Sequence, residues 1–424
     1  ATFRVDLVVG SGHATRSYFE VRDGQFLELP LTWYRELGTA AASPGEGFRR
    51  AVSRVATRLC VSCHTGDVTP RTPDADLGFH GALSLGVTCA RCHGDGAEHA
   101  ATGDPASIVD PAKLAADRQA ELCAQCHLST GLEVEEPGRT IASYRPGQSL
   151  ADWLAVLETE TRAPATGSPI AGHGTRMQLS LCYTATQDRT DGMRLSCATC
   201  HDPHRGFKAA DIARETARGC AVCHTEDDCH APASQRDERT CASCHMRTVP
   251  SADIGHTKIT DHWIRTRPES EDLSALAGGA HVGRLALRGG PLVDLLDRDG
   301  RHPRAALRRA RGYLQGVEVA ATESGRRALD WSVRAAKDLD TFEAASGRTP
   351  ETDAVRGRLL TVTGRAADAL PLVEAARAAR PELPESHAHL GYALADLGRP
   401  ADAVPHLVAA RAIQPWDAAT AVVL

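Results

Sequence analysis

The N-terminal residues alternate apolar and polar side chains in two runs. Residues 2–9 (TFRVDLVV) form the first run, and residues 17–32 form the second, which Arg-Asp-Gly interrupts at 22–24. A period of two is typical of strands, and Asp-Gly between strands favours a tight hairpin turn. We therefore predict a β-hairpin within residues 1–47, a small flap that presents His13.

Apolar positions follow helical spacing from about residue 301 to residue 424, and a 34-residue repeat runs through them. Such a repeat is typical of tetratricopeptide (TPR) helical hairpins; a generic helical hairpin domain is the alternative. An earlier helical pair over about 303–340 is degenerate, and residues 415–424 begin another helix. Further repeats or a partner chain are expected to cover that last face. The second copy comprises Leu390, Gly391, Leu394, Gly398, Ala403, Leu407, Ala410 and Pro415, and the first comprises Arg356, Gly357, Leu360, Gly364, Ala369, Val373, Ala376 and Pro381.

Between these ends the pattern predicts short helices, loops and few strands. Residues 48–265 carry no long periodic run, and several prolines interrupt them. Residues 266–300 are rich in glycine and charge and are predicted to be a connector. The fold class predicted for the whole chain is mainly α with little β, with an N-terminal hairpin and a C-terminal array of helical hairpins.

Composition narrows the class of protein. Aromatic residues make up only 4% of the 424 residues, whereas cysteine occurs 14 times, so groups other than aromatic side chains are expected to fill the interior. The formal net charge of −6 does not indicate nucleic-acid binding. The sequence contains no run of 18 apolar residues, so no transmembrane helix is predicted. Because the chain begins at Ala1 without a signal peptide, we expect a mature or trimmed product.

One motif, Cys-x-x-Cys-His, occurs six times and uses 12 of the 14 cysteines. It is the attachment signature of c-type haem: both thiols form thioethers with the haem vinyl groups, and the adjacent histidine binds the iron. Zinc is the alternative, but a zinc site does not require a histidine after each second cysteine. The predicted attachment cysteines are Cys60, Cys63, Cys89, Cys92, Cys123, Cys126, Cys197, Cys200, Cys220, Cys223, Cys241 and Cys244, and the predicted iron ligands are His64, His93, His127, His201, His224 and His245.

Six covalently attached haems would explain the low aromatic content, because porphyrins would then form the interior of residues 48–265. Haem is attached to such thiols outside the bacterial cytoplasm, so we expect a periplasmic or extracellular protein. Arginine supplies nearly all of the basic residues and is a suitable partner for haem propionates.

A second axial ligand is expected for most of these haems. His201 and His204 lie on one side of a local turn, so His204 cannot easily reach the far face of the haem at Cys197 and Cys200 and would serve a neighbouring haem. Ligation by two histidines implies low potentials; Met177, Met193 and Met246 could instead be ligands that raise the potential but are more readily explained as packing residues. The candidate distal histidines are His13, His99, His173, His204, His256 and His262.

These motifs resemble multihaem c-type cytochromes related to the tetrahaem cytochrome and hydroxylamine oxidoreductase superfamily. The resemblance implies that the same six histidines act as distal ligands. It also leaves open a further haem on an upstream segment. The CxxCK motif of pentahaem nitrite reductases does not occur here. The matching phrases are VVGSGHATRSY (8–18), LPLTWY (29–34), CARCHGDGAEH (89–99), CAQCH (123–127), CATCHDPH (197–204), and CASCHM with DIGHTKITDHWI within 241–264.

Two cysteines lie outside the motifs, Cys182 and Cys229. Leftover cysteines outside the cytoplasm tend to pair, so a Cys182–Cys229 disulfide is one prediction, and two buried free thiols are the alternative.

The predicted function is electron transfer by the haems. One alternative is a polymeric extracellular filament, and another is an oxidoreductase acting on a small nitrogen or sulfur compound at an open haem. The expected partners are redox proteins or identical subunits, contacted through the TPR-like region.

Overall fold

The architecture combines small antiparallel sheets, short helices and a C-terminal array of longer helices, which confirms the predicted fold class. In this computed structural model the residues described are 2–10, 13–22, 24–44, 54–56, 58–66, 69–70, 79–80, 84, 86–128, 132–159, 170–191, 193–205, 216–232, 241–251, 253–265, 290–321, 325–381 and 384–413.

The N-terminal sheet contains the predicted hairpin. Its strands are β1 (Leu7–Val9), β2 (Thr15–Arg22), β3 (Gln25–Tyr34), β4 (Thr39–Ala42) and β5 (Arg54–Val55), in the order β1-β2-β3-β4, with β5 also paired to β3. In the hairpin Arg22 lies opposite Gln25, and Gly24 in the turn has a φ of 74°, a conformation that glycine adopts without steric cost. Phe19 and Phe26 pack with Val61 of the first motif, so the sheet lies against that motif.

The central residues form short elements. The helices are α1 (Arg58–His64), α2 (Ala90–His93), α3 (Ala97–Thr102), α4 (Ala116–His127), α5 (His173–Met177), α6 (Leu181–Thr186), α7 (Cys197–Cys200) and α8 (Cys241–His245). The two-stranded pairs are β6 (Thr69–Pro70) with β7 (Phe79–His80), and β10 (Thr248–Pro250) with β11 (Lys258–Thr260).

A three-stranded sheet connects the central residues to the C-terminal helices. It consists of β8 (Glu133–Glu135), β9 (Leu154–Thr159) and β12 (Leu292–Asp294), in the order β12-β9-β8. The β12 strand lies within the predicted connector; residues 266–289 of that connector are outside the described part of the chain. Pairing of β12 with β9 continues the sheet next to the C-terminal helices.

The C-terminal helices form three hairpins: α9 (Ala305–Ala321) with α10 (Gly325–Ser346), α11 (Pro350–Val362) with α12 (Ala366–Ala379), and α13 (Pro384–Asp396) with α14 (Pro400–Ile413). The second and third hairpins begin at equivalent positions, because α11 and α13 start at 350 and 384, and α12 and α14 start at 366 and 400. The repeat of 34 residues thus corresponds to one helical hairpin. The predicted final helix over 415–424 lies outside the described residues.

Small residues at equivalent positions bring the two helices of each repeat together. A β-carbon at Gly357 would lie 2.6 Å from Val373 Cγ1, and one at Gly391 would lie 2.5 Å from Leu407 Cδ2. Gly364 and Gly398 follow the first helix of each hairpin with φ values of 75° and 72°. These glycines explain why the repeat pattern specifies the hairpin.

One hydrophobic core spans the three-stranded sheet and the first helices of the array. Leu157 and Leu292 from the sheet pack with Leu307, Leu314 and the fully buried Trp331. The Tyr313 hydroxyl accepts a hydrogen bond of 2.7 Å from the Leu292 backbone N–H. The helical array is therefore continuous with the residues that precede it. The division at 47, 265 and 300 stays a prediction.

A buried ion network lies at the same junction. The Arg308 side chain is 1% exposed; it contacts Glu136 through Nε and lies 3.5 Å from Asp294 through Nη1. Arg304 Nε reaches the other Glu136 oxygen at 2.8 Å. Burial raises the pKa of Asp294, which makes the neighbouring guanidinium important for keeping that carboxylate ionised.

Across the described ranges, none of the helices combines the length and the apolar character that crossing a lipid bilayer requires.

Candidate functional site: clustered CxxCH motifs

Each motif coincides with a helical turn. In the second motif the His93 backbone N–H donates to Cys89 O at 2.9 Å, and in the fourth the His201 N–H donates to Cys197 O at 3.0 Å. Residues at i, i+3 and i+4 share one face of such a turn. The two thiols and the histidine of a motif therefore face the same side, as a covalently attached haem with an axial histidine needs.

The first three motifs are held together through their middle residues. The Arg91 guanidinium donates to Ser62 O, and the Gln125 side-chain amide donates to Arg91 O at 3.0 Å. Ser62 and Gln125 are buried. The sequence alone does not indicate a role for these residues between the motif cysteines, because that role depends on contacts between motifs distant in sequence.

The cysteine sulfur atoms of different motifs are neighbours in space. A hydrogen bond with Cys126 raises the pKa of Cys63, which links the first and third motifs. A hydrogen bond with Cys197 likewise raises the pKa of Cys123 and links the third motif to the fourth.

The fourth, fifth and sixth motifs continue this series. A β-carbon at Gly219, just before the fifth motif, would lie 2.5 Å from Cys200 Sγ. Burial raises the pKa of Cys220 to about 11, with further contributions from the nearby thiols of Cys241 and Cys200. The Arg91 hydrogen bonds join the second motif to the first and third, so all six motifs form one connected cluster.

Three motif histidines lie beside predicted distal histidines. The ring centroids are 6.0 Å apart for His93 and His204, 6.1 Å apart for His201 and His262, and 5.5 Å apart for His127 and His173. An imidazole nitrogen binds a metal at about 2 Å and lies roughly 1 Å from its ring centre, so two histidines on one iron have ring centres about 6 Å apart. The His93–His204 and His201–His262 separations match that value, whereas the His127 and His173 rings lie closer together.

Hydrogen bonding also fixes which ring nitrogen is available. The Nδ1–H groups of His93, His99, His245 and His262 donate to the carbonyls of Val109, Asp104, Arg265 and Thr260 at 2.9, 2.9, 2.6 and 3.0 Å. A histidine that donates through Nδ1 presents an unprotonated Nε2, the usual arrangement of a metal-ligating histidine. His387 in the helical array uses Nε2 instead, to Pro381 O at 3.0 Å.

Burial keeps the His173 and His262 rings neutral. It lowers the pKa of His173 to about 3, with further lowering by His262 and His127, and it also lowers the pKa of His262. A neutral imidazole is the form that binds a metal ion. His262 therefore suits the ligation of haem iron in both tautomer and protonation state, and His173 suits it in protonation state.

The remaining distal candidates lie elsewhere on the molecule. His13 is exposed between β1 and β2, and the His99 ring lies near the end of α3. His256 has a φ of 54°, and its ring meets the buried Tyr34 edge-on at 5.4 Å. The role of His13, His99 and His256 as distal ligands stays a prediction.

The two cysteines outside the motifs are not bridged in this structure. Cys182 lies near the fourth motif: burial raises the pKa of Cys200, and the neighbouring Cys182 raises it further. Cys229 is exposed. The Cys182–Cys229 disulfide stays a prediction.

Comparison with known proteins gives relatives of one kind. The C-type polyheme cytochrome OmcB of Geobacter sulfurreducens is 27% identical over 253 residues, which cover 54% of this chain and 31% of OmcB. The multiheme cytochrome MtrA of Shewanella baltica is 22% identical over 185 residues, covering 39% of this chain and 52% of MtrA. Over the aligned residues, this chain is similar to multihaem c-type cytochromes.

The likeness to these cytochromes is partial. The aligned part of this chain spans about one third of OmcB and about half of MtrA. The solved structure of the outer cell wall cytochrome OcwA aligns over 92% of this chain at 15% identity and a TM-score of 0.40. No family model matches the chain. The finer resemblance to the hydroxylamine oxidoreductase superfamily and the identity of the helical array as TPR repeats stay predictions.

Proposed function

We propose that this chain carries electrons through six covalently bound c-type haems, most of them ligated by two histidines, outside the cytoplasm. The observation that carries the proposal is the continuous cluster of motifs, in which each motif lies against another through a hydrogen bond or a neighbouring sulfur atom. Haems attached at adjacent sites lie close to one another, and the cofactor iron supplies the one-electron chemistry.

The chain would contribute attachment, ligation and spacing. The cysteines of each motif fix one haem, and the helical turn places the motif histidine on the same side. His204, His262 and His173 would complete the coordination at the second, fourth and third motifs, because each lies beside the corresponding motif histidine. Two neutral histidines on one iron favour a low potential and leave no open position for a substrate.

Each distal histidine of this set would link two attachment sites. His204 follows the fourth motif but lies beside His93 of the second, and the His262 ring is 4.3 Å from the His173 ring as well as beside His201. Such shared elements fix the distances between haems, on which the rate of electron transfer depends. Contact with redox partner proteins or identical subunits through the helical array remains part of the proposal.

Paramagnetic resonance combined with a redox titration of the purified haem-loaded chain tests the proposal. The expected result is reversible reduction of all irons, low-spin signals from most of them, and no reaction with nitrite or carbon monoxide. High-spin iron that binds nitrite would favour an oxidoreductase instead. Electron micrographs that show regular fibres would identify a filament subunit, in which electron transfer is retained.

A further inference from the structure

Two arginines converge on one buried aspartate beside the histidine cluster. Arg176 donates from Nε and Nη2 to the two Asp261 carboxylate oxygens at 2.8 and 2.6 Å, and Arg265 donates from Nη2 to Asp261 Oδ2 at 3.0 Å. The Asp261 side chain is fully buried, and both arginine side chains are only 9% exposed. Two positive charges thus share one negative charge in a buried environment.

The described residues around Arg265 pair its guanidinium only in part. Within the part of the chain that the structure describes, Arg265 Nε and Nη1 are buried and have no hydrogen-bond acceptor. Buried guanidinium donors are normally paired, so these two atoms indicate that an anion completes the cluster.

The geometry of Arg265 restricts where that anion binds. The Arg265 guanidinium carbon lies 4.3 Å from the Trp263 ring centre, and that of Arg176 lies 5.2 Å from it. The Trp263 ring therefore occupies the face of the Arg265 guanidinium, and Asp261 occupies one of its donors. The Nε and Nη1 donors on the edge of the Arg265 guanidinium remain. Such edge donors are the groups of an arginine that bind a carboxylate.

The cluster also borders predicted iron ligands. The Arg265 backbone N–H donates to His245 O at 2.9 Å, and Arg265 O accepts from His245 Nδ1 at 2.6 Å. Asp261 directly precedes His262, and Arg176 lies in α5 with His173. A haem held by any of these histidines brings two propionate carboxylates into this neighbourhood.

We propose that Arg265 binds a haem propionate through Nε and Nη1, and that Asp261 and Trp263 position its guanidinium for this contact. The inference rests on the proposed function, because it requires attached haem. A guanidinium bound to a propionate offsets that negative charge and makes reduction of the haem more favourable. Arg265 therefore raises the potential of one haem in the series.

The test replaces Arg265 and measures the potentials of the haem-loaded chain. Arg265→Gln is expected to keep the haem content and low-spin spectrum and to shift one component of the redox titration to lower potential. Arg265→Lys, which retains the charge, should shift less. Arg309→Gln is the control, because Arg309 also pairs with an aspartate, donating from Nε and Nη2 to Asp338 at 2.9 Å, but lies within the helical array.

Specific outcomes overturn the inference without affecting the proposed function. A titration of Arg265→Gln that superimposes on that of the wild type contradicts propionate binding. A difference between the two proteins that appears only when phosphate or acetate is added identifies a site for a free anion, which also contradicts it. A wild-type chain without haem would instead refute the proposed function.

A structure of the haem-loaded wild-type chain decides the question even if the variants do not fold. A propionate oxygen within about 3.2 Å of Arg265 Nε or Nη1 is the expected result. Water or a protein carbonyl on both donors would overturn the inference.

Discussion

Single backbone carbonyls fix the tautomer of the proposed iron ligands. The carbonyls of Val109 and Thr260 hold the Nδ1–H of His93 and His262, and burial keeps His262 neutral. These carbonyls belong to residues with no chemical signature of their own. Sequence identifies which histidines are candidates, whereas the tautomer of each depends on the backbone that surrounds it.

Replacing one distal histidine tests the pairing at this scale. His204→Ala is expected to leave the haem at Cys89 and Cys92 attached but with one axial ligand, because His204 lies beside His93. Paramagnetic resonance should then show one high-spin haem in addition to the remaining low-spin signals.

His230→Ala is the control for this experiment, since His230 is exposed and also close to a motif. An unchanged low-spin spectrum for His204→Ala, with all haems retained, would contradict the pairing.

The His389 ring in the helical array gives a pH-dependent prediction. Burial lowers its pKa to about 3, from an ordinary value of 6.5. The unfolded chain therefore binds a proton below pH 6.5 that the folded chain does not, and the free energy of unfolding should fall by up to about 1.4 kcal/mol per pH unit as the pH falls from 6.5 towards 3.

His389→Phe should remove this contribution. Urea unfolding of both proteins at pH 7.5 and 5.0 measures it: the wild type should lose more stability than the variant on acidification. Equal losses would show that the His389 ring is protonated in the folded protein.

At the scale of elements, the helical hairpins were predictable from sequence because the pattern is local. The glycines and small residues that bring two helices together lie within one hairpin. The same pattern returns in the next hairpin, because α11 and α13 begin 34 residues apart. The contact between His93 and His204, by comparison, joins segments that are distant in sequence. Only the folding of the whole region that carries the CxxCH motifs brings them together. The sequence predicted that His204 binds the iron of a neighbouring haem, but it did not indicate the motif to which that haem is attached.

Gly357 tests the packing of a hairpin. Gly357→Ala places a methyl group 2.6 Å from Val373 Cγ1, so the helices must separate, at a cost of about 1–3 kcal/mol in the free energy of unfolding. Urea denaturation followed by far-ultraviolet circular dichroism measures the loss.

The matched substitution is Gly325→Ala, where none of the described residues lies within 4 Å of the added carbon. That variant should be unchanged or slightly more stable, because alanine favours helix more than glycine does. Equal stability of the two variants would contradict the close approach at Gly357.

At the scale of the whole molecule, the sequence did not indicate the junction between the region that carries the CxxCH motifs and the helical array. Glu136 and Arg308 are 172 residues apart along the chain but are paired and buried together. The β12 strand, in a segment predicted to be a connector, pairs with β9 and completes that surface. Short strands in segments rich in glycine and charge are hard to recognise, because their pairing partner supplies most of their stability.

Arg308→Met is expected to weaken this junction. It leaves Asp294 buried without its guanidinium neighbour, and loss of one partner from a buried ion pair costs about 3–5 kcal/mol. Urea unfolding should show this loss, and limited proteolysis should release the helical array more readily than from the wild type.

Arg334→Met provides the control, because its pairing with Asp330 is substantially exposed and within one helix, and such pairs contribute about 0.3–0.5 kcal/mol. Similar behaviour of the two variants would show that the Arg308 network does not hold the junction together.

The mass of the intact, denatured chain tests the central claim most directly, because thioether-linked haems remain attached when the protein unfolds. The account predicts a mass that exceeds the polypeptide mass by six haems, with fragment masses that place one haem on each CxxCH motif. A chain without added porphyrin, or motifs that carry no haem, would contradict it.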